Sequence, residues 1–467
     1  MTGREREQEP AVRAPGGPGV FFLGLLLLSS TTASAGVATV LPALASAMDL
    51  DSVTSTWLMT VYATGFAVAT PVFGRVVDLF GLRAATGWGL ALMTAGSLLC
   101  LCAWSPVALL VGRAVQGAGG GAVPVVASAA LVARGDEAAR RRGLSVFTAL
   151  MTLTSATMPV FAGALAQLMS WRALFAASAV SALALVPATR KVAARSRAAG
   201  RFDAAGAAGV VAAVCGALLC VRTAAAPAAS GPWVAGLGGA LVVVGLAVAW
   251  YRRTSFVPVG LLRDRRVAVV VASGFTLFGT YFGLQVMIPL LLHAARGWSP
   301  AQIGLALLPV GVCGALGSWA VGRGKEGRER RSPAPVLAVC GTLGSAAAVA
   351  ATLWPDRPWA LVGAFGVVSG CIGAGNVVLV GALARVVPAR VHGAALGLYN
   401  LVFYLGGSVT SAVVGRLLDV SPRGALGVLT VLTGATLLLS VLWPRGALSR
   451  PAPRMPAEDG PADRRVP

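Results

Sequence analysis

Charged side chains are scarce in this sequence. Asp, Glu, Lys and Arg make up 12% of its 467 residues, whereas 56% are hydrophobic and the mean hydropathy is +0.78. A soluble domain carries about 25% charged residues, so this chain has too few to cover a surface that faces water. The composition excludes a soluble globular enzyme and predicts a protein whose exterior faces lipid.

Acidic residues are especially few, and none lies in the middle of an apolar segment. The 17 Asp and Glu residues fall in tails, loops or helix ends, and so do His293 and His392. The usual titratable carrier for a proton inside a membrane is therefore missing. The seven cysteines lie within apolar segments, without the His, Asp or Glu neighbours of a metal site, so we expect no metal and no cofactor.

Basic residues are in excess, with a net charge of +21, and their positions follow a membrane topology. Fourteen apolar segments reach about 18 residues or more, enough for a helix to cross a bilayer. If the N-terminus is cytoplasmic, 31 of the 38 Lys and Arg residues lie in cytoplasmic tails and loops, six lie on the other side, and Arg113 lies inside the fourth segment. Cytoplasmic loops are normally rich in Lys and Arg, so we predict cytoplasmic termini and no nucleic-acid partner. Only two of the 38 are lysines, which is typical of GC-rich bacterial genomes, so we expect a multi-pass protein of a bacterial inner membrane.

The order of the segments predicts two six-helix bundles. Segments seven and eight are the weakest, and without them every other orientation would be unchanged, so twelve helices is the alternative to fourteen. A Gly-Ala-Gly repeat at 117–119 in the fourth segment and at 373–375 in the twelfth supports two related halves. The predicted parts are a disordered cytoplasmic tail (1–19), an N-terminal six-helix bundle (20–189), a linker with two extra transmembrane helices (190–253), a C-terminal six-helix bundle (254–443) and a second disordered cytoplasmic tail (444–467).

Two motifs carry charge at meaningful positions. The loop after the second segment holds Gly74, Asp78, Gly81 and Arg83, where a carboxylate at a helix end can pair with an arginine and act as a cytoplasmic gate. The alternative for this loop is an ordinary solvated turn.

The fourth segment holds Arg113, Gln116 and Gly117, and a charge centred in a membrane costs roughly 2.5 to 3.5 kcal/mol on insertion scales. Such a cost indicates a function for Arg113, and the structural alternative is that backbone carbonyls and Gln116 satisfy it. Because no fixed anion is available at this depth, we also consider that an anionic or zwitterionic substrate supplies the negative charge.

Together these motifs resemble the signatures of the major facilitator superfamily. The loop matches the family pattern Gly-x-x-x-Asp-x-x-Gly-x-Arg, and the fourth segment matches Arg-x-x-Gln-Gly. The resemblance is to the fourteen-helix drug/proton antiporter branch and implies an all-α membrane protein of the major facilitator fold, with two six-helix bundles and two extra helices between them.

Two positions depart from that branch. The branch usually keeps an Asp in helix one, where this chain has Ala33, and only half of its helix-five motif remains, as Pro159 and Gly163. The first departure weakens the expectation of proton coupling.

The substrate cavity is predicted from polar and aromatic residues in segments that resemble the pore-lining helices of the family. For each one, the alternative is a hydrogen bond between helices, since polar side chains hold membrane helices together. The candidates are Thr31, Ser34, Arg113, Gln116, Tyr281, Gln285, Asn376, Tyr399, Asn400 and Tyr404.

The resemblance implies a monomeric efflux transporter for drugs, antibiotics or toxic metabolites that is proton-coupled and works by alternating access around a midplane site. Its partners are then a small-molecule substrate, the lipid bilayer and protons. The first alternative is a facilitator or exchanger of an organic anion or zwitterionic metabolite without proton coupling, which Ala33 favours. The second is a non-transporting membrane sensor, which no loop is long enough to support. We do not expect an enzyme, because no nucleophile, acid–base pair or metal cluster is assembled at membrane depth.

Overall fold

The computed structural model describes residues 25–132, 137–183, 203–225, 232–251, 259–322, 332–388 and 392–443. Within these ranges the chain is helical and contains fourteen main helices, which confirms the predicted all-α fold. They are α1 (Leu25–Ala47), α2 (Ser52–Phe80), α3 (Leu82–Leu101), α4 (Pro106–Val132), α5 (Glu137–Leu168), α6 (Arg172–Leu183), α7 (Ala204–Ala225), α8 (Pro232–Tyr251), α9 (Arg265–Arg296), α10 (Pro300–Gly322), α11 (Ala334–Leu353), α12 (Pro358–Val386), α13 (His392–Val420) and α14 (Pro422–Val441). The two predicted tails, 1–19 and 444–467, lie outside the described residues.

Eleven of these helices are long and apolar enough to cross a membrane. The other three are α5, α6 and α8. In α5 and α8 the apolar parts are Leu153–Leu168 and Trp233–Val248, and the described part of α6 is a 12-residue helix. The chain is therefore a multi-pass membrane protein.

The helices pack as two groups with α7 and α8 at the side. We call α1–α6 the N-half and α9–α14 the C-half. In the N-half, α4 packs between α2 and α3, and in the C-half α9 packs on α12, α13 and α14. Helices α7 and α8 pack mainly on each other, and α7 also touches α13 and α2. This arrangement fits the expected peripheral position of the two extra helices.

Small residues allow close approach between helices. A Cβ on Gly117 would overlap the carbonyl oxygen of Tyr62, and one on Gly65 would lie 2.6 Å from the carbonyl oxygen of Ala114. Both contacts join α2 to α4 through backbone atoms that no rotamer change can move. Interfaces of this kind are typical of membrane helices, which associate by packing because lipid provides no hydrophobic driving force between them.

The two halves meet along two antiparallel helix pairs. We call α2 against α13 the first seam and α5 against α10 the second seam. We also call the end of the bundle where α2 ends and α9 begins the basic end, after Arg75, Arg83, Arg265 and Arg266. Both seams reach the opposite end of the bundle, and there the last part of α1 (Val37–Ala47) also packs against α9.

Candidate functional site

Arg113 is fully buried in the N-half and is held by neutral groups. Its guanidinium donates to the carbonyl oxygens of Ala33 at 2.6 Å and Leu58 at 3.2 Å, and to Oε1 of Gln116 at 2.5 Å. The guanidinium carbon also lies 4.2 Å from the ring centroid of Tyr62, in a cation–π contact. The three helices α1, α2 and α4 therefore supply dipoles and a ring face but no anion to the cation.

Gln116 extends this site into a chain of hydrogen bonds that stays inside the N-half. Its Nε2 donates to Oγ of Ser97 at 2.8 Å, Ser97 lies 3.2 Å from Oγ of Ser178, and Ser178 donates to the carbonyl of Ser29 at 3.2 Å. All of these side chains are buried. Every partner in this chain of hydrogen bonds belongs to α1, α3, α4 or α6, so the network joins helices of the N-half.

The backbone carbonyl of Ala33 contacts Arg113 at the position in helix one where this chain lacks the Asp of the drug/proton antiporter branch. Residues Thr32–Gly36 form a π-helical turn within α1, where the backbone is wider than in an α-helix and carbonyls are less regularly paired. The Ala33 carbonyl meets the guanidinium from the position at which the branch usually has a carboxylate. In this conformation backbone carbonyls and Gln116 satisfy the charge of Arg113, as the structural alternative for this residue expected. The buried guanidinium is not accessible to a substrate anion.

Aromatic rings fill the region where the N-half and the C-half meet at mid-depth. The ring centroid of Phe66 lies 4.3 Å from that of Tyr404 across the first seam. The ring centroid of Phe278 lies 4.9 Å from that of Tyr404 and 6.0 Å from that of Tyr281. These distances are within the range of favourable aromatic pairs. The central aromatic cluster consists of Tyr62, Phe66, Phe278, Tyr281, Phe403 and Tyr404, from α2, α9 and α13.

The remaining residues predicted to line the cavity differ in their hydrogen-bond partners and their burial. Thr31 and Ser34 donate to carbonyls one turn back in their own helix, at 2.7 Å and 3.0 Å. Tyr399 is buried and donates to Oδ1 of Asn376 at 2.9 Å, which joins α13 to α12. Gln285 is buried in α9, and Asn400 is half-buried in α13. The structure therefore places Tyr281 and Tyr404 each beside Phe278, pairs Tyr399 with Asn376, and leaves Thr31 and Ser34 bonded locally.

The loop motif at the basic end forms a tight turn between α2 and α3. Gly81 has φ 85° and ψ 163°, a backbone conformation that is essentially restricted to glycine, so this residue is required by geometry. A Cβ on Gly74, in contrast, would meet no atom within 4 Å. Asp78 and Arg83 are exposed at this end.

The helix-five remnant lies in the second seam. A Cβ on Gly163 would overlap the carbonyl oxygen of Pro300, and a Cβ on Gly304 would overlap the carbonyl oxygen of Pro159. Nearby, Oε1 of Gln167 accepts from Oγ of Ser299 at 3.2 Å. The remnant thus closes α5 onto α10 at the end opposite the basic end.

Hydroxyl groups pair across the first seam. Oγ1 of Thr60 lies 2.6 Å from Oγ of Ser411, and Oγ1 of Thr64 donates to Oγ of Ser408 at 3.2 Å. All four residues are buried. These are direct polar contacts between the halves, in the part of the seam between the aromatic cluster and the opposite end.

Comparison with known families decides the identity of this fold. A family model described as Major Facilitator Superfamily matches residues 23–411, which is most of the chain. The chain belongs to the Major Facilitator Superfamily. Membership confirms the superfamily that the two motifs indicated and identifies a family of transporters.

Several relatives within the superfamily carry resistance names. The chain is 30% identical over 288 residues to the multidrug resistance protein Stp of Mycobacterium tuberculosis, covering 57% of this chain and 51% of Stp. It is 29% identical over 315 residues to the methylenomycin A resistance protein of Bacillus subtilis, covering 64% of this chain and 66% of that protein. The chain thus spans about half to two thirds of the length of these curated relatives.

Solved structures agree on the fold. A crystal structure of a mutant of the peptide transporter POT in complex with sulfate superposes with a TM-score of 0.66 and 19% identity, covering 94% of this chain and 96% of that one. At that identity the similarity concerns the fold alone.

Several central residues were not among the sequence candidates. Tyr62 and Phe66 contact Arg113 and Tyr404, and Thr60 and Thr64 form the inter-half hydroxyl pairs. One signal was available for them: in α2, Thr60 with Thr64 and Tyr62 with Phe66 are each four positions apart, which places each pair on one face of the helix. Their partners on α13 come from the other half of the chain, so spacing alone could not identify the contacts.

Proposed function

We propose that this member of the Major Facilitator Superfamily exports small aromatic or amphiphilic toxic molecules across a bacterial inner membrane. The observation that carries the proposal is the central aromatic cluster at the junction of the two halves, where Phe66 of α2 meets Tyr404 of α13 at 4.3 Å. Ligand sites are usually apolar and aromatic with a few polar groups, and Gln285 and Tyr281 supply such groups here. The names of Stp and the methylenomycin A resistance protein support export rather than uptake.

The proposed orientation places the basic end in the cytoplasm. Arginines at that end, such as Arg75 and Arg83, satisfy the preference of cytoplasmic loops for basic residues, and both termini then lie in the cytoplasm. We propose that the transporter works as a monomer, since the site is built from one chain's own halves.

Alternating access supplies the proposed mechanism. In the conformation described, both seams are closed at the end opposite the basic end, through Thr60 with Ser411 and Gly163 with Pro300. Separation of these contacts would open the aromatic cluster to the periplasm while the N-half and C-half rock as rigid bodies. The internal hydrogen bonds of Arg113 would be kept throughout, because all its partners move with the N-half.

Energy coupling has two candidates. The resemblance to drug/proton antiporters favours proton coupling, with Asp78 at the cytoplasmic gate as the titrating group. The contact between Arg113 and the Ala33 carbonyl favours an uncoupled facilitator or exchanger, because the N-half then holds the Arg113 guanidinium without a carboxylate that could exchange a proton. Asp78→Asn separates the two: it abolishes pH-driven transport but spares substrate exchange if Asp78 carries the proton.

Export is tested by expressing the chain in an efflux-deficient bacterium and measuring drug accumulation across a panel of aromatic antibiotics and dyes, with and without a protonophore. We expect lower accumulation of several aromatic compounds than in cells with the empty vector. A matched control is Phe66→Ala, which opens the aromatic cluster without touching Arg113 or the loop motif. Equal accumulation with and without the transporter, for every compound, would contradict export.

A further inference from the structure

Within the described helices that carry its rings, the central aromatic cluster lies far from any carboxylate. Its rings sit near the middle of their helices, Phe66 in α2, Phe278 in α9 and Tyr404 in α13. Along these helices the nearest carboxylates are Asp78, Asp264 and Asp419, each 12 or more residues away. At a rise of 1.5 Å per residue, these separations are about 18 Å or more.

A positive charge lies much closer. The guanidinium carbon of Arg113 is 4.2 Å from the ring centroid of Tyr62, and Tyr62 is 6.2 Å from Phe66. The acceptors on this cation, Ala33, Leu58 and Gln116, are neutral, so they stabilise the guanidinium without cancelling its net charge. The aromatic cluster therefore experiences the field of a permanent cation in a medium that screens it poorly.

Aromatic faces by themselves attract cations, so the rings attract a cationic substrate whereas Arg113 repels it. The arrangement of the rings reduces their contribution. The face of Tyr62 already holds Arg113, Phe278 stacks on Phe403 at 4.3 Å, and Phe66 lies against Tyr404 at 4.3 Å. One face of Tyr62 and the stacked faces of Phe278 and Phe403 are thus already occupied, whereas the charge of Arg113 is fixed.

From this charge distribution we infer the substrate class of the site: it accepts aromatic molecules that are uncharged or anionic and rejects aromatic cations. The inference rests on the proposed function, because it takes the aromatic cluster as the substrate site. A unit charge about 10 Å from Arg113, at an effective dielectric constant near 20, changes affinity by about tenfold in each direction. An anion and a cation of the same shape should then differ by well over tenfold.

Two organic ions of nearly equal size and shape make the test direct. Tetraphenylborate and tetraphenylphosphonium differ in the sign of their charge, and their binding to the purified full-length protein in lipid nanodiscs is measured by equilibrium dialysis, with empty nanodiscs subtracted. We expect the borate to bind at least tenfold more tightly than the phosphonium.

A pair of variants isolates the charge. Tyr404→Glu and Tyr404→Gln remove the same ring, whose centroid lies 4.3 Å from that of Phe66, and differ only in the charge of the new side chain. We expect the glutamate variant to reduce the preference for the borate by about tenfold relative to the glutamine variant. If the Tyr404 variants do not fold, Tyr281→Glu and Tyr281→Gln provide the same comparison on α9.

Three outcomes would overturn the inference. The first is phosphonium binding as tight as borate binding in the native protein, and the second is an equal preference in the glutamate and glutamine variants. The third is the absence of binding by both ions. Drug export in the bacterial panel is an independent readout, so resistance without this charge preference would refute the substrate class and leave export standing.

Discussion

Two glycines from the sequence motifs should respond in opposite ways to the same substitution. In Gly117→Ala, the new methyl group overlaps the carbonyl oxygen of Tyr62. This oxygen belongs to backbone that no rotamer change can move, so α2 and α4 must separate at this contact, and overpacking of this kind costs typically about 1–3 kcal/mol.

In Gly74→Ala the same methyl group meets nothing within 4 Å. Alanine is favoured over glycine in a helix by about 1 kcal/mol, so this variant should be as stable as the native protein or more stable. The same preference offsets part of the cost in Gly117→Ala, which leaves a net loss of up to about 2 kcal/mol.

Thermal unfolding in detergent measures the difference. A thiol-reactive dye reports unfolding because Cys100, Cys340 and Cys371 are buried in the folded protein. We expect a lower midpoint for Gly117→Ala and an unchanged or higher midpoint for Gly74→Ala. Equal midpoints for the two variants would refute the packing described for α2 and α4.

Further predictions concern the turn at the basic end and the first seam. Gly81→Ala should lower the folded yield, because its φ of 85° with ψ of 163° costs about 1–3 kcal/mol for a residue with a side chain, and quantifying monodisperse protein after purification checks this. The double variant Thr60→Val with Thr64→Val should favour opening at the end opposite the basic end by roughly fivefold to tenfold, since each inter-helix hydrogen bond contributes about 0.6 kcal/mol. Faster thiol labelling of a cysteine introduced at Thr56, which is buried against Gly415 in the first seam, measures that opening. Thr39→Val is the control, because its hydroxyl bonds only within α1, and labelling no faster than in that control would contradict the role of the hydroxyl pairs.

The fold was predictable from sequence because the bilayer imposes a length on each apolar segment. The loop motif lies at the turn between α2 and α3, where the backbone angles of Gly81 require a glycine, and its role as a gate stays a prediction. The spacing of Arg113 and Gln116, about one helical turn, correctly placed the two side chains in contact.

The surroundings of Arg113 were less accessible to sequence reasoning. The acceptor at Ala33 is a backbone carbonyl within a π-helical turn, and a backbone group leaves no trace in residue identity. Contacts between the halves, such as Phe66 with Tyr404, join residues more than three hundred positions apart. Their pairing depends on how α2 lies against α13, which helical periodicity within one segment does not specify.

The central claim is that the halves separate at the end opposite the basic end during transport. The pair Thr60→Cys and Ser411→Cys tests it most directly, because the native hydroxyl oxygens are 2.6 Å apart and sulfur atoms in their place are within reach of a disulfide bond. Transport of an exported dye is measured in liposomes after oxidation with a membrane-permeable oxidant and again after reduction, with each single cysteine variant as control. The account predicts that oxidation stops transport in the double variant alone and that reduction restores it. Undiminished transport by the cross-linked protein would contradict the account.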